Sequence, residues 1–418
     1  MEALTVRGGY RLEGEIPIHG AKNSALPLLA ATLLVEGCSE IHNCPHLSDV
    51  DASMAILRHL GCGVTRQDTT VTVDATAPSR AQIPDNLMRE MRSSIVFLGA
   101  IVARFGQATL TYPGGCELGP RPIDLHLSAL RRLGVTVEEC HGTIRCRVEK
   151  ELRGAEITLG FPSVGATENV LLAACTAMGT TVLRNAAREP EIQDLCRFLN
   201  HCGAHISDDG CGTLVIEGVP RLQGVAHAVM PDRIEAATYL AAAAVTGGKI
   251  ALTSCAPETV SSVFPLLEQA GCVITRPQPN RIHMLAPSRL RKMGTVRTMP
   301  YPGFPTDAAA PLLAAACVAE GTTVFVENIF ENRYRYVDEL ARMGARIQVD
   351  GRVAVVEGVP RLQGASVACT DLRGGAALVV AALAAGGETT VTALHHLDRG
   401  YDDLVGCLQG VGARIRRQ

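Results

Sequence analysis

Tryptophan is absent from this chain of 418 residues, and there are only 7 Tyr and 8 Phe. So few rings leave little on which bases could stack, and a formal net charge of −3 gives no basic footprint for nucleic acid. Long hydrophobic runs are also missing. The longest, such as YLAAAAV (239–245) and ALVVAALAA (377–385), fall short of the roughly 20 apolar residues that span a bilayer. The opening MEALTVRGGYRLEGEI lacks the basic-then-apolar order of a signal peptide, so a cytoplasmic protein is expected. No CxxC occurs among the 15 cysteines, which removes the main support for zinc-ribbon and thioredoxin readings. No cluster has metal-ligand spacing either.

What cysteine there is falls into two kinds. Most thiols lie in apolar stretches, such as Cys175 in LLAACTAMG and Cys317 in LLAAACVAEG. These are expected to be small buried side chains in a reducing compartment. Cys116 differs. It sits in YPGGCELGPRP (112–122), with Gly114 and Gly115 before it, Gly119 after it, and Arg121 between two prolines. Neither helix nor strand suits that composition.

Internal repetition organises the rest. EGVPRLQG occurs at 217–224 and again, unchanged, at 357–364. A weaker signature recurs six times, beginning LRHLGCGV at Leu57, LRRLGVTV at Leu130, LNHCGAHI at Leu199, LEQAGCVI at Leu267, LARMGARI at Leu340 and LQGVGARI at Leu408. Each reads as the end of an amphipathic helix, a C-cap glycine and a short strand. The glycines are 61, 134, 203, 271, 344 and 412, spaced by 73, 69, 68, 73 and 68 residues. An Ala- and Leu-rich helix precedes each signature, apolar on nearly every face and therefore expected to be buried. The repeat is βαβαββ in character. Six copies in two groups of three predict two similar globular domains of α/β (or α+β) class, with the chain crossing between them near VMPDRIE (229–235).

Charged and irregular residues collect just before the buried helices: Lys22 and Asn23, Arg92, the run Ser163-Val164-Gly165, Arg233, Asp307 and Arg373. Arg333 and Arg399 add further cations. A single Arg at a helix start is ordinarily solvated or capping. Several at corresponding places in related units instead predict an anion site, because helix N-termini add unpaired N–H groups and partial positive charge. A small substrate carrying both phosphate and carboxylate would suit it. Asp307 has the opposite sign. It could cap its helix, or act as a general base for a substrate hydroxyl, and the two roles are compatible.

With these residues in view, the whole chain resembles the UDP-N-acetylglucosamine 1-carboxyvinyltransferase family. The resemblance is carried by GAKNSALPLLAATLL, MRSSIVFLGAIVARFG, PGGCELGPRPIDLH, FPSVGATENVLLAA, EPEI, PDRIEA, PGFPTD, FENRY, TDLRGGAAL and HLDRGY, in the family's order and spacing. It implies two inside-out α/β domains, 22–230 and 1–21 plus 231–418, each of three βαβαββ units around central helices, with the active site in the interdomain cleft. The implied reaction moves the enolpyruvyl group of phosphoenolpyruvate to the 3′-hydroxyl of UDP-N-acetylglucosamine and releases phosphate, the first committed step of peptidoglycan synthesis. By the same resemblance the reaction needs neither a metal nor an organic cofactor, and Cys116 forms an adduct with phosphoenolpyruvate, the O-phosphothioketal of 2-(S-cysteinyl)pyruvic acid, matches the family's assigned proton donor, and is the site of fosfomycin alkylation. Lys22, Arg121 and Arg399 match phosphate-side cations, and Arg333 and Arg373 a carboxylate clamp; Asn23 also lies on the phosphoenolpyruvate side. Asn23, Arg92, Arg121, Pro122, Ile123, Asp124, Leu125, Ser163, Val164, Gly165, Asp307 and Ile329 match contacts to the nucleotide sugar, with Asp307 as the base. A monomer without nucleic-acid or membrane partners is implied.

One departure is visible: Phe161 stands where some members carry a Lys two residues before the serine, so that cation's help with the diphosphate is missing. Two rivals remain. A 3-phosphoshikimate 1-carboxyvinyltransferase shares the six-unit fold but lacks a PGGC loop. A silent paralogue that only binds UDP-N-acetylglucosamine is disfavoured by the intact charged positions.

Overall fold

A helix with apolar side chains all round has no face to turn to water, and the six Ala/Leu-rich segments are accordingly buried helices. The structure, a computed structural model, describes residues 2–113 and 123–418. The helices are α1 (Lys22–Thr32), α2 (Phe97–Phe105), α3 (Val164–Ala174), α4 (Arg233–Val245), α5 (Thr306–Ala316) and α6 (Leu372–Ala384). In α4 every residue except Val245 is buried. Contacts divide the described chain into two units, 20–113 with 123–230 and 2–19 with 231–418. Each has its own core. In the first, α1, α2 and α3 supply Leu28, Leu29, Leu98, Ile101, Leu171 and Leu172. In the second, α4, α5 and α6 supply Tyr239, Leu240, Leu312, Leu313, Leu378 and Val379. Small residues let the helices approach closely. A Cβ on Gly99 of α2 would lie 2.4 Å from the Asn169 carbonyl oxygen of α3, which explains a glycine inside a helix despite its entropic cost.

The βαβαββ repeat is plainest at Glu156–Thr158, α3, Thr180–Arg184, Pro190–His201, His205–Asp208 and Thr213–Glu217. It recurs at Thr295–Arg297, α5, Thr322–Val326, Val337–Arg342, Arg346–Asp350 and Val353–Glu357. In both, the first strand runs parallel to the second, which pairs antiparallel with the closing hairpin. All six signature glycines have φ between +89° and +103°, the left-handed conformation in which a helix can stop and a strand begin without steric cost.

Among the described residues, three of the four-stranded sheets borrow a strand from far along the chain. Ala226–Ala228 joins Cys38–His42, Glu13–Pro17 joins Lys249–Thr253, and Leu4–Arg7 lies between Glu388–Thr392 and Arg414–Arg417. Residues 2–19 thereby belong to the unit built from the C-terminal half. At the crossings the two strands are bonded to each other: Ala21 N–H donates to Met230 C=O at 2.7 Å, and Asp232 N–H to His19 C=O at 2.8 Å.

The cysteine expectation needs one correction. Cys175 and Cys317 are fully buried, and burial pushes the Cys317 thiol up to about 12. Cys38, Cys140 and Cys211, however, are exposed. They sit on solvent-facing strand ends and hairpin loops, where short apolar stretches give way to polar turns.

Candidate active site

Six of the positions predicted from sequence lie at starts of the central helices or of the turn that leads into one. Lys22 opens α1, Arg92 opens the 3-10 turn Arg92–Val96 that leads into α2, and Ser163 is the N-cap of α3. Arg233 opens α4, while Asp307 and Arg373 are the second residues of α5 and α6. Cys116, Arg121 and Pro122 lie outside the described residues.

In the unit holding α1 to α3, Lys22 is buried and its Nζ lies 2.6 Å from Asp49 Oδ2. Asp49 sits in the first turn of the helix Ser48–Leu60, where a carboxylate is favoured by the helix dipole. Asn23 is half-buried beside it. Pro27, inside α1, has no N–H to give the carbonyl of Asn23, which therefore lacks its ordinary intrahelical bond. Pro311 in α5 does the same for the carbonyl of Asp307. Two predicted site residues thus share a backbone device that sequence reading passed over.

Asp194 holds this corner. Its Oδ2 accepts from Ser24 Oγ at 2.5 Å and from Met230 N–H at 3.2 Å; its Oδ1 is 3.1 Å from His227 Nε2 and 2.9 Å from Arg197 Nη2. Burial pushes the Asp194 carboxyl up, but His227, the Ser24 hydroxyl and the Met230 N–H outweigh it and hold the group below its ordinary value. A depressed folded value means the stabilisation is complete above the unfolded value, about pH 4, and is lost as pH falls through the folded value. Asp194→Asn is therefore expected to cost about 3 kcal/mol at neutral pH, with the deficit shrinking below about pH 4. Urea melts across pH check both halves of that expectation.

Around α3, the Ser163 hydroxyl accepts from Ala166 N–H at 3.3 Å, Val164 begins the helix, and Gly165 faces the His126 ring. Arg92 donates to Pro113 C=O at 3.2 Å. Asp124 and Leu125 open the helix Asp124–Arg132, exposed and half-buried respectively. The Ile123 side chain belongs to the core. Leu125, Ser128, Arg132, Ile157 and Leu159 help to line a cavity of about 370 Å³.

In the other unit, Asp307 does not cap α5. The N-cap position is Pro305, and the Asp307 carboxylate turns instead to two guanidinium groups. Its Oδ1 accepts from Arg333 Nη2 at 2.7 Å and its Oδ2 from Arg373 Nη2 at 3.2 Å. Both arginine side chains are buried, at 2% and 4% exposure, whereas Asp307 keeps 26% and is the member that reaches solvent. Burial works against the charge on Arg373; Asp307, Tyr401 and Asp232 outweigh it and hold the group protonated well above its ordinary value. Arg333 lies over the Phe330 ring and Arg373 over the Tyr401 ring. Among the described residues, Arg333 Nε and Arg373 Nη1 are buried donors without an acceptor.

The supports of this cluster were not foreseen. Glu327 is buried; its Oε1 accepts from Thr298 Oγ1, Ile329 N–H and Phe330 N–H, and its Oε2 from Thr306 Oγ1. It thereby fixes Ile329 and the start of α5 together. Asp232 and Asp371 cap α4 and α6, each accepting two backbone N–H bonds. An acid just before an arginine at a helix start, as in PDR and TDLR, was the available signal. Arg399 ends the 3-10 turn Leu394–Arg399 and is half-buried. No group of three His, Cys, Asp or Glu among the described residues could hold a metal ion, and no helix there is long and apolar enough to cross a membrane.

Comparison with known proteins decides the family. A profile described as EPSP synthase (3-phosphoshikimate 1-carboxyvinyltransferase) matches residues 6–408. UDP-N-acetylglucosamine 1-carboxyvinyltransferase 2 of Caldanaerobacter subterraneus subsp. tengcongensis is 49% identical over 417 residues, covering 100% of both chains. UDP-N-acetylglucosamine 1-carboxyvinyltransferase 1 of Symbiobacterium thermophilum is 49% identical over 421 residues, covering 100% of this chain and 95% of its own. The chain belongs to the UDP-N-acetylglucosamine 1-carboxyvinyltransferase family. Among solved structures, the enolpyruvyl transferase NikO from Streptomyces tendae superposes with a TM-score of 0.89 at 29% identity, covering 100% of this chain and 99% of that one. EPSP synthase from Acinetobacter baumannii gives a TM-score of 0.76 at 18% identity over 100% of both chains, a likeness of fold. Membership of this family and the inside-out α/β architecture agree with the reading from sequence.

Proposed function

We propose that this protein transfers the enolpyruvyl group of phosphoenolpyruvate to the 3′-hydroxyl of UDP-N-acetylglucosamine, as the names of its 49%-identical relatives indicate for them. The observation that carries the chemistry is the Arg333–Asp307–Arg373 cluster: two buried cations held on either side of one partly exposed carboxylate. The two positive charges would attract a substrate carboxylate that approaches from the exposed Asp307 side. Binding it would also draw positive charge away from Asp307 and raise the basicity of that group just when a base is needed.

Cys116 supplies a proton to C3 of phosphoenolpyruvate, which makes C2 electrophilic. Asp307 takes the proton of the sugar hydroxyl as its oxygen bonds to C2, giving a tetrahedral ketal. The Cys116 thiolate then takes a proton back from the new methyl group as phosphate leaves C2 with the proton held by Asp307, restoring the double bond and both side chains. Lys22, Arg121 and Arg399 stabilise the departing phosphate, with Asn23 beside them. Arg92, 121–125, 163–165, Asn23 and Ile329 hold the nucleotide sugar. The same reading makes Cys116 the target of fosfomycin and places a monomeric enzyme in the cytoplasm at the entry to peptidoglycan synthesis.

Phosphate release from phosphoenolpyruvate, compared with UDP-N-acetylglucosamine and with shikimate 3-phosphate as acceptors, tests the proposal. Release only with the nucleotide sugar is expected. Release only with the shikimate would replace it by the rival transferase, and binding of the nucleotide sugar without release would make the protein a silent binder.

A further inference from the structure

Asn169, in the second turn of α3, is fully buried and is not among the residues that the family resemblance assigns to substrate. Its Oδ1 accepts from Gly99 N–H of α2 at 2.5 Å. Its Nδ2 faces three acceptors: Ile95 C=O at 3.1 Å, Gly165 C=O at 3.2 Å and His126 Nδ1 at 2.9 Å. The backbone partners fix the orientation of the amide, because a peptide N–H can meet only its oxygen and carbonyls only its NH2 group. Two hydrogens serve the three acceptors, so one is shared.

Facing an obligatory donor, His126 Nδ1 must be the acceptor, and the ring proton is on Nε2. Burial, reinforced by the Arg92 charge and opposed by Asp124, pulls His126 down to about 4, so the ring is neutral at neutral pH. The ring is also confined, since a Cβ on Gly165 would lie 2.8 Å from its Cε1 and 3.2 Å from its Nε2. One buried amide therefore joins four segments: the Arg92–Val96 turn, α2, the first turn of α3, and the helix that carries Asp124 and Leu125.

We infer that Asn169 is a positioning residue for nucleotide-sugar binding, setting the spacing of Arg92, the 163–165 turn and Asp124–Leu125 and holding His126 as a neutral ring with its N–H at Nε2. The inference rests on the proposal that those segments hold the nucleotide sugar and adds the residue that aligns them. A side chain that only filled space would need no amide, whereas this one uses both its oxygen and its nitrogen.

The test uses the full-length protein. Nitrogen NMR of His126, assigned with His126→Asn, is expected to show an unprotonated Nδ1 and no titration at or above about pH 6. Asn169→Ala and Asn169→Asp are expected to raise KM for UDP-N-acetylglucosamine about tenfold or more, with KM for phosphoenolpyruvate changed less than about twofold. In Asn169→Asp the new carboxylate would accept from Nδ1–H, and the His126 titration should move up. A δ-protonated ring in the unmodified protein overturns the inference whether or not the variants fold. So does an unchanged nucleotide-sugar KM in folded Asn169 variants when Arg92→Ala weakens that substrate. If Arg92→Ala also leaves it unchanged, the underlying placement of the nucleotide sugar fails instead.

Discussion

Asp307→Asn is expected to lower kcat by about a thousandfold while leaving a folded protein. The amide keeps the size of the side chain but cannot take a proton from the sugar hydroxyl. It also removes the only negative charge that the structure shows bridging Arg333 and Arg373 among the described residues. Two buried guanidinium groups would then face each other without that compensation, at a cost of about 3 kcal/mol. The two consequences separate experimentally. Phosphoenolpyruvate, or inorganic phosphate as an unreactive probe, supplies the missing charge and should stabilise the variant more than the unmodified protein in thermal melts. An anion that stabilised both equally would show that Asp307 is not the counter-ion of the pair. A variant that kept its turnover would remove it as the base.

Cys116→Ala carries the second large effect. No covalent adduct with phosphoenolpyruvate should form, and turnover should fall at least about a hundredfold. Folding should be unaffected, because the substitution removes one small side chain from a Gly- and Pro-rich stretch. The exposed thiols provide an internal control. Cys38 is held above its ordinary value by partial burial and by Asp74 and Glu40, which disfavours the reactive thiolate. Fosfomycin alkylation mapped by mass spectrometry should therefore fall on Cys116 rather than on Cys38. Adduct formation that survived in the alanine variant would move the assignment to another thiol.

The sequence made the helical centre legible because two local signals coincide there. Helices apolar on every face have one physical solution, and a glycine between helix and strand has one backbone conformation. Gly61, Gly134, Gly203, Gly271, Gly344 and Gly412 all adopt it. Strand exchange was not legible. Glu13–Pro17 finds its partner at Lys249–Thr253, and nothing local to either segment records that pairing. The site divided in the same way. Charges at helix starts were visible in the chain, since capping and dipole effects act over a few residues. Their partners were not: Asp49 for Lys22, Asp194 for Ser24, Glu327 for Thr306 and Ile329, and Asn169 for His126 all act across the fold. Asp307 marks the boundary. Its position allowed a cap or a base, and only the places of Arg333 and Arg373 showed where its carboxylate points.

Phosphoenolpyruvate carrying heavy oxygen at the bridge between C2 and phosphorus tests the central claim most directly. Addition to C2 followed by elimination breaks the carbon–oxygen bond, so the label should leave in inorganic phosphate, and UDP-N-acetylglucosamine should gain an unlabelled enolpyruvyl group at its 3′-oxygen. Unlabelled phosphate, with the heavy oxygen retained in pyruvate or in a pyruvyl product, would mean that the phosphorus–oxygen bond breaks, and enolpyruvyl transfer by this protein would be contradicted.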